Sequence, residues 1–268
     1  MRNTLFIGGG NMAYAIISGL LNKGATGVSL RVVDPSEDAK TRLTGLGVPC
    51  NATWPTEFDC AQVVVAVKPQ AMPDVLKQYE AHLAGKLLIS IAAGVSVSQL
   101  RQWSGQANAA VARTMPNTPA LVGKGITGVY CTDNCTDADY REVESLFRSC
   151  GEVVNLASED DINAITAISG SGPGYVFYWM EALAKAAQEL GFNESQARQL
   201  VNHTFLGSAS LAVQSDESLS TLRERVTSKG GTTFAGLEAL RKHQVADGIV
   251  EGAKAAYARA IELQGPKP

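Results

Sequence analysis

The stretch VTSKGGTT, Val226 to Thr233, sets four hydroxyls (Thr227, Ser228, Thr232 and Thr233) around the pair Gly230-Gly231, just ahead of a helical pattern. It contains no His, Cys, Asp or Glu. Such a loop has no general acid near neutral pH, no metal-binding set and no activated nucleophile. It can hold and orient a ligand. The glycines let the backbone approach closely, free N–H groups at a helix start suit an anion, and one hydroxyl can hydrogen-bond a polar atom. The same residues also read as a capping loop, with Ser228, Thr232 or Thr233 as the N-cap.

A second cluster lies at the other end of the chain. GGGNMA, Gly8 to Ala13, fits G-x-G-x-x-A through Gly8, Gly10 and Ala13, with Asn11 and Met12 between them. It follows a predicted strand and opens a predicted helix, the context in which this motif binds a dinucleotide. The first glycine permits the tight turn, the second lets a pyrophosphate reach the backbone, and the small third residue packs helix on strand. Asp34 and Ser36 follow the next predicted strand, roughly 20 residues on, where a ribose would lie. Other strand ends carry Val67-Lys68-Pro69, Ala92-Ala93-Gly94 and Met115-Pro116-Asn117. In open parallel sheets ligands lie outside the carboxyl ends of the strands, so these residues join the cofactor set.

The elements that must position these residues follow from periodicity. Strands are expected at Thr4–Ile7, Ser29–Val33, Gln62–Val67, Lys86–Ile91 and Ala109–Arg113. Helices alternate with them at Asn11–Asn22, Asp38–Leu46, Ala71–Ala81, Ser96–Trp103 and Asp137–Ser149. That alternation predicts a Rossmann-like, doubly wound parallel sheet. Beyond about residue 152 strand signals vanish. Glu159–Ile168, Tyr175–Leu190, Glu194–Gln214, Leu219–Arg225, Thr233–Lys242 and Val245–Gln264 all read as helix. The expected organisation is an NAD(P)-binding domain over 1–152 and an all-α domain over 153–268.

Composition narrows the classes. The 268 residues are 45% hydrophobic and 18% charged, with a formal net charge of −3 and no basic run, which gives nucleic-acid binding little support. The N-terminal apolar run is broken by three glycines and Asn11, unlike a signal-peptide core, and no stretch reaches the ~18 apolar residues of a membrane span. Five cysteines in no zinc spacing read as reduced thiols, with no metal expected. A soluble cytoplasmic protein is the expectation.

Taken together, IGGGNMA (7–13), VKP (67–69), SIAAGVS (90–96), RTMPNTPA (113–120), SGSGPGYVF (169–177) and VTSKGGTT (226–233) resemble the Δ1-pyrroline-5-carboxylate reductase family, in order and over most of the chain. The resemblance implies NADPH- or NADH-dependent reduction of a cyclic imine to L-proline. It implies a helical C-terminal domain that builds a homodimer, in some members a decamer. It also implies substrate binding by Ser228, Gly230, Gly231, Thr232 and Thr233, with the Thr233 hydroxyl at the ring nitrogen. Two residues depart from the pattern: Lys229 replaces the usual Pro, and Gly174 stands where Ala is common. An acid-poor hydroxyl loop suits this chemistry, because a protonated imine is already electrophilic and positioning alone contributes on the order of 7–11 kcal/mol in favourable cases.

Two other readings compete. A β-hydroxyacid or 6-phosphogluconate-type dehydrogenase shares the layout but needs a general base, usually a lysine, for which Lys185 is the nearby candidate. A non-catalytic NAD(P)-sensing module would leave VTSKGGTT and MPNTP unexplained.

Overall fold

A computed structural model describes residues 2–264. Eight strands form one sheet: β1 (Thr4–Ile7), β2 (Leu30–Val33), β3 (Cys50–Asn51), β4 (Gln62–Val65), β5 (Leu87–Ser90), β6 (Val111–Met115), β7 (Gly125–Cys131) and β8 (Gly151–Asn155). Their order is β3-β2-β1-β4-β5-β6-β7-β8. All pairs are parallel except β6 with β7. The doubly wound class is as expected, but the sheet is mixed at that one pair.

The central strands are buried on both faces. The apolar runs of β1 and β4 are fully buried, as a sheet covered on both sides requires. One face carries Phe6, Val32, Val64 and Ile89 against α1 (Asn11–Asn22), whose Ala13, Ile16, Ile17 and Leu20 turn inward. The other face carries Leu5, Val63, Val65 and Leu88 against α3 (Met72–Gln78) and α5 (Val97–Trp103). Between them in the chain lie α2 (Glu37–Thr44) and α4 (Glu80–Leu83). After β7 comes α6 (Asp137–Arg148).

Three strands escape the sequence reading. The two residues of β3 are too few for any alternation to show. Within β7, GITGVYC is interrupted by Gly125 and Gly128, which read as loop. Packing explains Gly128: a Cβ there would stand 2.8 Å from the Ile165 side chain. The short GEVVN of β8 follows α6 after two residues, and the first of them, Ser149, is that helix's C-cap.

Past β8 the chain is helical: α7 (Asp161–Ile165), one π turn at Thr166–Gly170, α8 (Gly172–Glu189), α9 (Glu194–Gln214), α10 (Leu219–Arg225), α11 (Thr232–Lys242) and α12 (Val245–Gln264). The chain packs as two compact units. One comprises the chain to Ser171 together with the chain from Ala256; the other is Gly172–Ala255. In the first, the end of α12 is tied down by a buried bond in which Asn163 Nδ2 donates to Gln264 Oε1 at 2.9 Å. In the second, Asn193 caps α9 through a reciprocal box with Gln196.

Candidate active site

The dinucleotide fingerprint forms the turn from β1 into α1. Gly8 takes φ +101°, and a Cβ on it would meet the Ala66 carbonyl oxygen at 2.7 Å. Only glycine fits this backbone. Gly10 is the N-cap of α1 with φ −66° and no side-chain cap bond. A Cβ on Gly10 would touch nothing within 4 Å. The helix therefore begins with uncapped N–H groups facing open space, which is what a pyrophosphate requires. Ala13 is 1% exposed in the core, the tight packing expected of the third motif position.

Asp34 braces this turn from below. Its Oδ2 accepts the Gly9 N–H at 2.7 Å and its Oδ1 accepts the Ser36 N–H at 2.8 Å. Each oxygen keeps a further lone pair for a ribose hydroxyl. Ser36 caps α2 by accepting from the Ala39 N–H, so its side chain serves as a helix cap.

Sequence reading missed the nearest cation. Arg42, in the last turn of α2, donates from Nη2 to the Gly9 carbonyl at 2.7 Å and from Nη1 to Asn11 Oδ1 at 2.9 Å. Its guanidinium lies 4.8 Å over the Tyr14 ring. It thus fixes the fingerprint loop and sets one positive charge beside it. No local signal marks it: a basic residue in a helix's last turn is ordinary. Arg31, by contrast, donates to the carbonyls of Gly27 and Leu30 and stacks on Phe58, at the far end of β2 from Asp34.

The other strand-end residues are placed as follows. Lys68 is exposed and begins a short 3-10 turn at Pro69–Ala71, with Val67 half-buried before it. Ala92 is buried, Ala93 is half-buried, and a Cβ on Gly94 would lie 3.0 Å from Leu263 Cβ in α12. Met115 is half-buried and Pro116 buried. Asn117 braces its own loop: Nδ2 donates to the Ser169 carbonyl at 3.1 Å, and Oδ1 accepts the Ile126 N–H at 2.9 Å.

An ion pair between a buried arginine and a half-buried glutamate ties two of these loops together. Arg113 is 0% exposed in β6, and its Nη1 donates to Glu159 Oε1 at 3.0 Å. The same oxygen accepts the Val97 N–H at 2.8 Å. Burial lowers the Arg113 pKa from its ordinary value, and Glu159 opposes the shift. Glu159 so links the strand before Met115 to the helix after Ala92–Gly94.

In the second unit, Gly231 N–H donates to the Ser228 carbonyl at 3.0 Å, closing a turn over Ser228–Gly231. Gly230 takes φ +72° in it. A residue with positive φ at that place marks a type II turn, whose second position favours proline and here holds Lys229. The Ser228 hydroxyl lies against the Cβ position of Gly231, so the serine folds under the helix start, and Gly230 is the position whose backbone requires glycine. Gly231 is the N-cap of α11, with no side-chain cap bond and no acidic residue in the first turn. Thr232 and Thr233 are exposed. The capping alternative therefore fails for all three hydroxyls; the Gly231 N–H is spent on the Ser228 carbonyl, while the Thr232 N–H and the Thr233 hydroxyl remain open to a ligand. Lys185 pairs with Glu189 at 3.9 Å, and its side chain is 78% exposed, which is a solvated helix face.

The comparisons with known proteins agree in kind. A family model described as pyrroline-5-carboxylate reductase dimerisation matches residues 159–263, and one described as NADP oxidoreductase coenzyme F420-dependent matches residues 4–94. The chain is 40% identical to the pyrroline-5-carboxylate reductase of Vibrio alginolyticus over 98% of both chains. It is likewise 40% identical to that of Haemophilus influenzae, over 97% of this chain and 96% of the relative. Among solved structures, a pyrroline-5-carboxylate reductase from Coxiella burnetii superposes with a TM-score of 0.91 at 35% identity, covering 99% of each chain. The Plasmodium falciparum enzyme, solved with NADP bound, gives 0.87 at 29% identity over 98% of each chain.

Proposed function

The chain belongs to the pyrroline-5-carboxylate reductase family, and from that premise we infer that it reduces L-1-pyrroline-5-carboxylate to L-proline at the expense of NADPH or NADH. The observation that carries this reading furthest is the start of α11, uncapped and free of acidic side chains.

Bound NAD(P)H would supply a hydride to the imine carbon. The chain's own residues supply the rest. The uncapped start of α1, with room above Gly10 and Arg42 beside it, holds the pyrophosphate. The Thr232 N–H and the Ser228 hydroxyl hold the substrate carboxylate beside Gly230 and Gly231, the Gly231 N–H being spent on the Ser228 carbonyl, and the partial positive charge of the helix start favours it. The Thr233 hydroxyl accepts a hydrogen bond from the protonated ring nitrogen and donates to the amine as charge is lost. No protein acid is required, because the substrate enters already protonated. Alcohol oxidation, the rival chemistry, lacks its base: Lys185 is committed to a solvated surface pair. Steady-state oxidation of NAD(P)H with pyrroline-5-carboxylate is expected. Turnover of 3-hydroxy acids with NAD(P)⁺, or no turnover of either, would refute the reading.

Asp34 is the proposed selector between the two cofactors. Its carboxylate favours a ribose 2′-OH and repels a 2′-phosphate, with Glu37 and Asp38 exposed next to it. Replacing Asp34 by Ser is expected to raise the NADPH-to-NADH ratio of kcat/KM roughly 10-fold or more, the worth of one bond to a charged group. The ratio is the measurement, because loss of the Gly9 and Ser36 bonds lowers both efficiencies together. An unchanged ratio removes Asp34 from the role.

The helical unit supports a homodimer, and we extend it to assembly of dimers into a decamer in the cytoplasm. No residue of the 18-residue α8 is buried, and Phe177 and Tyr178 are 64% and 72% exposed. A groove of about 590 Å³ lined by Tyr175, Trp179, Leu240, Val245 and Ile249 adjoins them. Apolar surface of this extent marks an interaction face. Among the described residues no helix is long and apolar enough to cross a membrane. Sedimentation at micromolar concentration should give a dimer or a multiple of it; an active monomer would overturn the assignment.

A further inference from the structure

Two cysteines have no part in this chemistry. Cys131 ends β7, and Cys135 lies four residues on, just ahead of α6. A tight turn joins them: the Cys135 N–H donates to the Thr132 carbonyl at 2.8 Å. Both side chains are half-buried and pack on the same hydrophobic cluster. Across this turn each thiol influences the ionisation of the other. Cys135 Sγ also lies 3.6 Å from the Thr132 hydroxyl and donates to the Val111 carbonyl at 3.6 Å. The other three thiols, Cys50, Cys60 and Cys150, are buried, and burial pushes each of them up.

We propose that Cys131 and Cys135 are a thiol–disulfide exchange site, closed into an intrachain disulfide by a low-molecular-weight disulfide such as oxidised glutathione. The Thr132 hydroxyl, 3.6 Å from Cys135 Sγ, divides the roles. When the pair gives up one proton, the Cys131 S–H donates to the Cys135 sulfur and the Thr132 hydroxyl adds a second bond. This holds the Cys135 thiol below its ordinary range and pushes Cys131 above its own, with burial and the Asp139 charge opposing the fall at Cys135. Cys135, the thiolate, attacks one sulfur of the oxidant; the oxidant's S–S bond breaks and one glutathione leaves as thiolate. Cys131 then attacks the Cys135 sulfur of the mixed disulfide. The second glutathione leaves, and the proton of Cys131 goes to a departing thiolate. Two protein thiols are oxidised and one glutathione disulfide is reduced to two thiols, so atoms and electrons balance.

The test uses the full native chain. It is incubated with oxidised glutathione, denatured, alkylated and cut with trypsin. Cleavage after Lys124 and Arg141 releases one peptide, 125–141, that holds Cys131 and Cys135 and none of the other cysteines. The expected peptide carries no alkyl group and no glutathione and is lighter by two hydrogens, so that two of the five thiols are lost. Cys50, Cys60 and Cys150 should be recovered alkylated. In Cys131→Ser the reaction should stop at a mixed disulfide on Cys135, and in Cys135→Ser the adduct should form at least about 10-fold more slowly, since a protonated thiol is a poor nucleophile. A wild-type peptide that stays doubly alkylated, or that ends as a persistent glutathione adduct, overturns the proposal. Circular dichroism of both variants excludes misfolding as the cause.

Discussion

Gly10→Val is expected to lose at least about 100-fold in affinity for NADPH and NADH alike, yet to melt within about 4 °C of the wild type. The first half follows from the cradle. Two charge-assisted bonds from N–H groups to a phosphate are worth about 1.5–3 kcal/mol each, and a branched side chain over the helix start denies both. The second half follows from the backbone. Gly10 sits at φ −66° and ψ −176°, an extended conformation open to any residue, and nothing lies within 4 Å of its Cβ position. Valine is a poorer N-cap than glycine, at a cost of about 1 kcal/mol or less, hence the small shift in Tm. Gly8→Ala is the informative contrast. At φ +101° and 2.7 Å from the Ala66 carbonyl, its methyl strains the turn itself, so stability and binding fall together. Titration calorimetry and melting on the same preparations separate the two. Normal cofactor binding by Gly10→Val would mean that the pyrophosphate does not cross this helix start.

The parts of the fold legible in the sequence are those whose signal is local. The limits of α1, Asn11–Asn22, and of α9, Glu194–Gln214, follow from apolar spacing and caps, and the structure has them at those residues. The run QVVVAV announces a strand buried on both faces, though only Gln62–Val65 pairs. What stays hidden is what depends on partners distant in sequence. β7 is a strand because it pairs with β6 and β8, against the local preference of its glycines. Arg42 reads as a helix-end charge until the fold lays it against Gly9 and Asn11. Arg113 reads as the end of a strand, and nothing near it in sequence points to Glu159. Asn117 sits in a motif that suggests ligand contact, while its amide is spent on Ser169 and Ile126. The site is legible as loops, and the braces that hold the loops are tertiary.

Thr233→Ala is expected to lower kcat/KM for pyrroline-5-carboxylate about 10- to 150-fold, the loss of one oriented bond of roughly 1.5–3 kcal/mol to a nitrogen that changes charge during the reaction. NADPH affinity should stay within about 2-fold, because the fingerprint turn that would hold the cofactor is built without this residue. Thr233→Ser keeps the hydroxyl and should keep most of the rate. The competing account makes Thr233 a helix cap, and it forecasts about 1 kcal/mol of lost stability with kinetics per folded enzyme unchanged. The structure already weighs against it: Gly231, not Thr233, is the N-cap, α11 starts at Thr232, and its side chains make no capping bond. An exposed threonine inside the first turn, with its hydroxyl unused, loses nothing structural on becoming alanine, which is if anything the better helix former. Melting temperature should therefore hold or rise slightly while turnover collapses. Measured on one preparation of Thr233→Ala, a destabilised but fully active enzyme would return the loop to a capping role and move the substrate elsewhere. A stable and slow one would leave the hydroxyl as the group that the reacting ring requires.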